Sequence, residues 1–144
     1  MIHVAIANQQ TRRPLAIRRL RSAIQQVLAD ARVSQADISV AIVDDPTIHQ
    51  LNVRFLQHDY PTDVLSFVLS EPDQPLVGEI IVSADTAARE ALAYGWKLAD
   101  ELLLYVIHGT LHLVGHDDHE PRDRQRMRRQ ERRQLKSFGL EPRY

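Results

Sequence analysis

The chain contains no cysteine. Disulfides and thiolate-held zinc sites are therefore excluded, and any metal must be held by imidazole and oxygen donors. Lysine is almost missing as well. Only Lys97 and Lys136 occur among the 18 basic residues, so positive charge is carried by arginine. Arginine binds phosphate bidentately, which lysine cannot do. No apolar run is long enough to cross a bilayer. The opening Met1-Ile2-His3-Val4-Ala5-Ile6-Ala7-Asn8 is short and lacks a basic leader, unlike a signal peptide. The expectation is a cytoplasmic protein. With 144 residues and an ordinary composition, residues 1–144 are expected to form one domain with its own core.

The chemistry-bearing residues concentrate in His108-Gly109-Thr110-Leu111-His112-Leu113-Val114-Gly115-His116-Asp117-Asp118-His119. Histidines four residues apart share one face of a helix, about one turn from each other. Gly115 can end that helix and turn the chain back, and a His/Asp cluster follows at once. Two ligands on a rigid helix and a third from a returning loop build a three-ligand zinc site with an open fourth position, the mark of a catalytic site. Imidazole suits zinc, whereas carboxylates alone would suit magnesium or calcium. Leu102, Leu103, Leu104, Val106, Ile107, Leu111 and Leu113 make the helix apolar nearly all round, as in a buried central helix. Asp100 and Glu101 stand near its start, where the helix dipole favours negative charge. The alternative is a pair of hydrogen-bonded core histidines. The usual zinc-peptidase helix has Glu directly after its first His as general base. Gly109 stands there instead, which argues against a peptidase.

Positive charge is uneven. Arg122, Arg124, Arg126, Arg128, Arg129, Arg132 and Arg133 crowd the C-terminal segment, and Arg12, Arg13, Arg18, Arg19 and Arg21 lie near the N-terminus. One reading is an RNA-facing surface. The other is a solvated helix face, with Asp123 and Glu131 offsetting part of the charge.

Along the chain, residues 2–7 read as a strand. Pro14 can open a helix to about Ala31, with Leu15, Ile17, Leu20, Ile24, Val27 and Leu28 as its inner stripe. Ile38, Val40, Ile42 and Val43 suggest a second strand. Asp44-Asp45-Pro46 caps a helix carrying Ile48, Leu51, Asn52 and Phe55. Residues 63–69 and 78–83 read as strands, with a loop over 71–76. Ser83 or Asp85 can cap a helix through Ala93 that stops at Gly95. The metal helix spans about 98–114, and a very basic helix covers 121–137. Strands and helices interleave in one α+β unit.

The stretch from His108 to Asp117 resembles the signature of the YbeY family of bacterial metal-dependent endoribonucleases. A second segment, Asn52-Val53-Arg54-Phe55-Leu56-Gln57-His58-Asp59-Tyr60-Pro61-Thr62-Asp63-Val64-Leu65-Ser66-Phe67, resembles that family's other marked stretch, and Gly78-Glu79-Ile80-Ile81-Val82-Ser83 sits between them in the expected order. The resemblance implies a small α+β fold with a mixed, mainly parallel sheet and one zinc bound by three histidines; with the elements read above, this is a four-stranded sheet packed by helices, with the zinc site on a central buried helix. It implies single-strand-specific RNA cleavage in ribosomal RNA maturation, notably at the small-subunit RNA 3′ end, and a part in ribosome quality control. Small-subunit ribosomal proteins or an assembly GTPase are the partners it suggests.

Three positions depart from the family pattern. The third family histidine lies ten residues after the first, where this chain has Asp118, with His119 next. Asp118 binds as a carboxylate, or the turn is one residue longer and His119 binds; the expected metal set is His108, His112 and His119. His116 replaces the usual Tyr and is expected to pack or hydrogen-bond nearby. The family Arg after the aromatic of its Asn-x-x-aromatic motif is tied to activity; here the aromatic is Phe55 and Leu56 follows it. Arg54, just before, is the candidate catalytic cation. Asp117 is a candidate base, beside Asp118 and Glu120, and Thr62, Asp63 and Ser66 are candidate cleft residues. A metal-dependent endoribonuclease is the leading expectation. A non-catalytic zinc-containing ribosome-assembly factor and a metallopeptidase are the alternatives.

Overall fold

A computed structural model describes residues 1–10, 13–56 and 62–142. Arg12 and residues 57–61 of the second motif lie outside them. The elements in chain order are β1 (Ile2–Asn8), α1 (Ile17–Asp30), β2 (Ala36–Val43), α2 (Asp45–Leu56), β3 (Val64–Val68), β4 (Leu76–Ser83), α3 (Ala84–Tyr94), α4 (Leu98–Leu113) and α5 (Pro121–Lys136). The sheet order is β1-β2-β4-β3. The β1–β2 and β2–β4 pairs are parallel, and β3 runs antiparallel to β4. The fold is thus the mixed, mainly parallel α+β arrangement expected.

Alternation along the strands divides the core. Val4, Ile38, Val40, Ile42, Ile80 and Val82 join the main cluster with the inner stripes of α1 and α4. Val43, Leu65 and Ile81 point the other way and meet Ile48 of α2. Successive strand residues face opposite sides of the sheet. Helix α4 is therefore enclosed: every residue from Asp100 to Ile107 is buried, as its all-round apolar sequence requires. Helix α5 closes over it through Met127 and Leu135, both about fully buried.

Most helix boundaries follow their caps. The Asp44 carboxylate accepts the Thr47 N–H at 2.9 Å, and the Ser83 hydroxyl accepts that of Thr86 at 3.2 Å. Gly95 ends α3 at φ 74°, and Pro121 occupies the first turn of α5. Pro14 does not open α1, which starts at Ile17. Leu15 and Ile17 both pack against the core, so the segment after Pro14 leads in non-helically and anchors Leu15 before the helix begins.

Candidate metal centre

Helix α4 presents His108 and His112 on one face near its C-terminal end. Their Nε2 atoms lie 3.1 Å apart. The helix ends where the sequence predicts. The His116 N–H reaches back to the Leu111 carbonyl at 3.0 Å, and the Gly115 N–H to that of His112 at 3.1 Å. Gly115 has φ 105°, in the left-handed region that favours glycine. This pairing of bonds turns the following loop back toward the two histidines.

Asp118 is the residue that the loop returns. Its Oδ2 lies 3.4 Å from His108 Nε2 and 3.5 Å from His112 Nε2. A tetrahedral zinc with bonds of 2.0–2.1 Å has ligand–ligand edges of about 3.4 Å. The three donor atoms thus form a triangle of the size that one face of a zinc site needs, and two imidazoles with one carboxylate are a donor set zinc accepts. The residues present fit the ion.

His119 is placed elsewhere. Its side chain is 85% exposed, with Nε2 3.5 Å from Asp117 Oδ1, and it groups with Asp117 and Asp118 rather than with the histidine pair, Asp118 being common to both groups. Of the two possibilities open in the sequence, the geometry brings Asp118 rather than His119 to the histidine pair. The cause lies in the loop. Asp117 Oδ1 accepts the backbone N–H of Asp118 at 2.7 Å and of His119 at 3.3 Å, a tight Asx turn. The bond to the Asp118 N–H leads in holding the Asp117 carboxyl below its ordinary range. This turn directs Asp118 inward and leaves His119 outside.

Behind the site stands Glu131 of α5. Its side chain is 0% exposed and Oε2 lies 2.6 Å from His108 Nδ1. A carboxylate at Nδ1 fixes that nitrogen as the N–H and leaves the Nε2 lone pair facing His112 and Asp118. Burial pushes the His108 imidazole down, but the hydrogen bond and charge of Glu131, with the charge of Asp118, outweigh it and the net shift is upward. Arg128 binds the other Glu131 oxygen at 2.9 Å.

A cleft of about 540 Å³ opens on this site, lined among others by Thr62, Asp63, Arg89, Glu101, His108, Asp118, Arg128 and Glu131. Thr62 and Asp63 stand there as the sequence suggests. Ser66, Arg54 and Asp117 are not among its lining residues. Arg54 is exposed on α2, its guanidinium carbon 5.4 Å from the Phe55 ring centre. Asp117 faces the loop backbone it organises. Arg89, on α3, is held by Asp45 Oδ2 at 2.5 Å and brings a second cation to the cleft.

Gly109 explains the missing peptidase base. A Cβ there would stand 2.9 Å from Ile80 Cγ2 and 3.3 Å from Val64 Cγ2. Position 109 faces the sheet at close approach, so no glutamate fits. Sequence reasoning treated Glu131 and Arg128 only as parts of a charged helix. The available signal was that Met127, Glu131 and Leu135 recur at helical spacing, which puts a carboxylate on the core-facing stripe.

The profile described as Endoribonuclease YbeY matches residues 5–139. The chain is 49% identical over 123 residues to Endoribonuclease YbeY of Rhodopirellula baltica, covering 81% of this chain and 63% of that relative's length. To Endoribonuclease YbeY of Syntrophotalea carbinolica it is 39% identical over 144 residues, 96% of this chain and 94% of the relative. The solution structure of TM1509 from Thermotoga maritima shares the fold, with a TM-score of 0.64 at 24% identity over 96% of this chain and 92% of that one. A match spanning the metal helix, the returning loop and α5 places this chain in the YbeY endoribonuclease family.

Proposed function

We propose that this chain is a zinc-dependent endoribonuclease that cuts single-stranded RNA. Its role is maturation of ribosomal RNA, notably at the 3′ end of the small-subunit RNA, with a part in ribosome quality control. The observation that carries the reading is the donor triangle of His108, His112 and Asp118, at 3.1, 3.4 and 3.5 Å, open to a cleft that also holds two arginines. One zinc per chain is proposed. Its setting is the cytoplasm, in keeping with the lack, among the described residues, of any helix long and apolar enough to cross a membrane. Small-subunit ribosomal proteins or an assembly GTPase are the proposed partners, from the family.

When bound, the ion supplies Lewis acidity for a phosphoryl oxygen or a water. The protein's own groups do the rest. His108, His112 and Asp118 would hold the ion, and Glu131 keeps His108 in the tautomer that offers Nε2. Arg89 and Arg128 provide guanidinium groups where a phosphate would enter, and so stabilise charge that grows on it during transfer. This assigns to them the role that the sequence gave to Arg54, which is absent from the cleft lining. Asp117 acts by shaping the loop that presents Asp118.

The test is cleavage of single-stranded RNA by the purified chain, with and without chelator, and with zinc restored. Chelator-sensitive cleavage that zinc restores is expected. Intact RNA with stoichiometric zinc bound would instead favour a non-catalytic assembly factor.

A further inference from the structure

The seven arginines of α5 are not equivalent. Pro121, Arg124, Gln125, Arg128, Arg129 and Arg132 line a second groove of about 700 Å³. It holds four arginines, and no carboxylate is among its lining residues. Arg124, Arg128 and Arg132 follow one another at four-residue intervals, about 6 Å per step along the helix. Arg128 also lines the metal cleft, so groove and cleft meet at this side chain. We propose that this groove carries the backbone of single-stranded RNA to the metal centre, phosphate by phosphate, with Arg128 at the junction. The inference rests on the endoribonuclease reading and gives its substrate a path.

Three observations favour this occupant. The positive charge is arginine throughout, the residue that grips phosphate in a fork. The side chains are already partly arrayed: Arg124 Nη1 donates to the His119 carbonyl at 2.7 Å, and Arg128 leans on Glu131 at 2.9 Å. The third is continuity, since Arg128 lines both this groove and the metal cleft.

The experiment measures binding of a fluorescein-labelled, 2′-O-methyl single-stranded oligoribonucleotide by anisotropy across a salt series, using the full chain with its metal. The same preparations are assayed for cleavage of unmodified RNA. Each phosphate contact on a single strand contributes about 0.7 to the slope of log affinity against log salt. Arg124→Gln with Arg132→Gln is expected to lower that slope by about 1.4, and to weaken binding about twentyfold near 0.1 M salt. Lysine at both positions should retain most of the slope. Arg32→Gln, at the end of α1, removes the same charge elsewhere and should bind as the unmodified chain does. Unchanged affinity and slope in the double glutamine variant, with cleavage by the unmodified chain intact, would overturn the path and leave the endoribonuclease reading standing. Equal affinity for duplex RNA would overturn the single-strand assignment. Absence of cleavage with normal oligonucleotide binding would sink the enzymatic reading, and the slope would still decide the groove.

Discussion

His108 Nδ1 and Glu131 Oε2 are 2.6 Å apart, and the glutamate has no solvent exposure. The two residues come from different helices, so this contact joins the metal helix α4 to the arginine helix α5. A buried carboxylate is costly unless paired, and Glu131 is paired on both sides, with His108 and Arg128. Its removal is therefore expected to disturb the orientation of His108, a proposed metal ligand. Glu131→Gln keeps the shape and loses the charge. The expected result is a loss of zinc affinity of about 10–100-fold, the range for partners of metal-ligating histidines, measured by competition with a chelating dye. Nitrogen NMR of His108 should show a mixed tautomer in place of a fixed one. Unchanged affinity would mean that the pair only packs the two helices together.

His112 is a proposed metal ligand, and its side chain is 27% exposed, so it bears little of the core. In His112→Ala, helix content should persist by circular dichroism, while bound zinc and RNA cleavage both fall to background. Normal metal content with normal cleavage in this variant would rule out the site.

Gly109 is fixed by space. Alanine in a helix normally gains about 1 kcal/mol over glycine. Here the new Cβ would meet Ile80 at 2.9 Å and Val64 at 3.3 Å, and overpacking of a dense core costs about 1–3 kcal/mol. Gly109→Ala should therefore lower the urea midpoint, with net destabilisation of about 1 kcal/mol after the propensity gain is offset. A raised midpoint would show that the helix and sheet can move apart at little cost.

Glu101 gives a pH prediction of definite sign. It is buried, and its Oε1 accepts the Trp96 indole N–H at 2.7 Å. Burial raises its carboxyl above the ordinary value of 4.5, and the Trp96 bond opposes this only in part. The folded chain therefore holds this proton more tightly than the unfolded chain. Its contribution to stability is present below 4.5 and is lost as pH rises through the folded value. Glu101→Gln keeps an acceptor for Trp96 without a charge to bury. It should be more stable than the unmodified chain at neutral pH, and the difference should shrink toward pH 4.5. Urea unfolding of both proteins at the two pH values measures this, and a constant difference would contradict it.

Much of the fold was legible because its signals are local. Apolar stripes marked α1 and α4, Ser83 and Gly95 bounded α3, and Gly115 ended the metal helix where the histidine spacing required. His108 and His112 were legible for the same reason, since one helical turn fixes their relation. The third donor was not, because Asp118 and His119 are neighbours and only the Asx turn at Asp117 decides which side chain points inward. Glu131 was hidden in a different way. Its partner His108 lies 23 residues earlier, and that distance closes only when α5 packs on α4. Arg54 looked catalytic by its place beside Phe55, but the cleft forms between β3, α3, α4 and α5, with α2 on the other side of the sheet.

The central claim is a metal centre made by His108, His112 and Asp118, and metal content by mass spectrometry tests it most directly. The comparison is between the unmodified chain, Asp118→Ala and His119→Ala, each loaded with zinc and then dialysed. About one zinc per chain is predicted in the unmodified protein and in His119→Ala, with loss in Asp118→Ala. Zinc kept by Asp118→Ala and lost by His119→Ala would contradict the assignment and return the third position to the histidine.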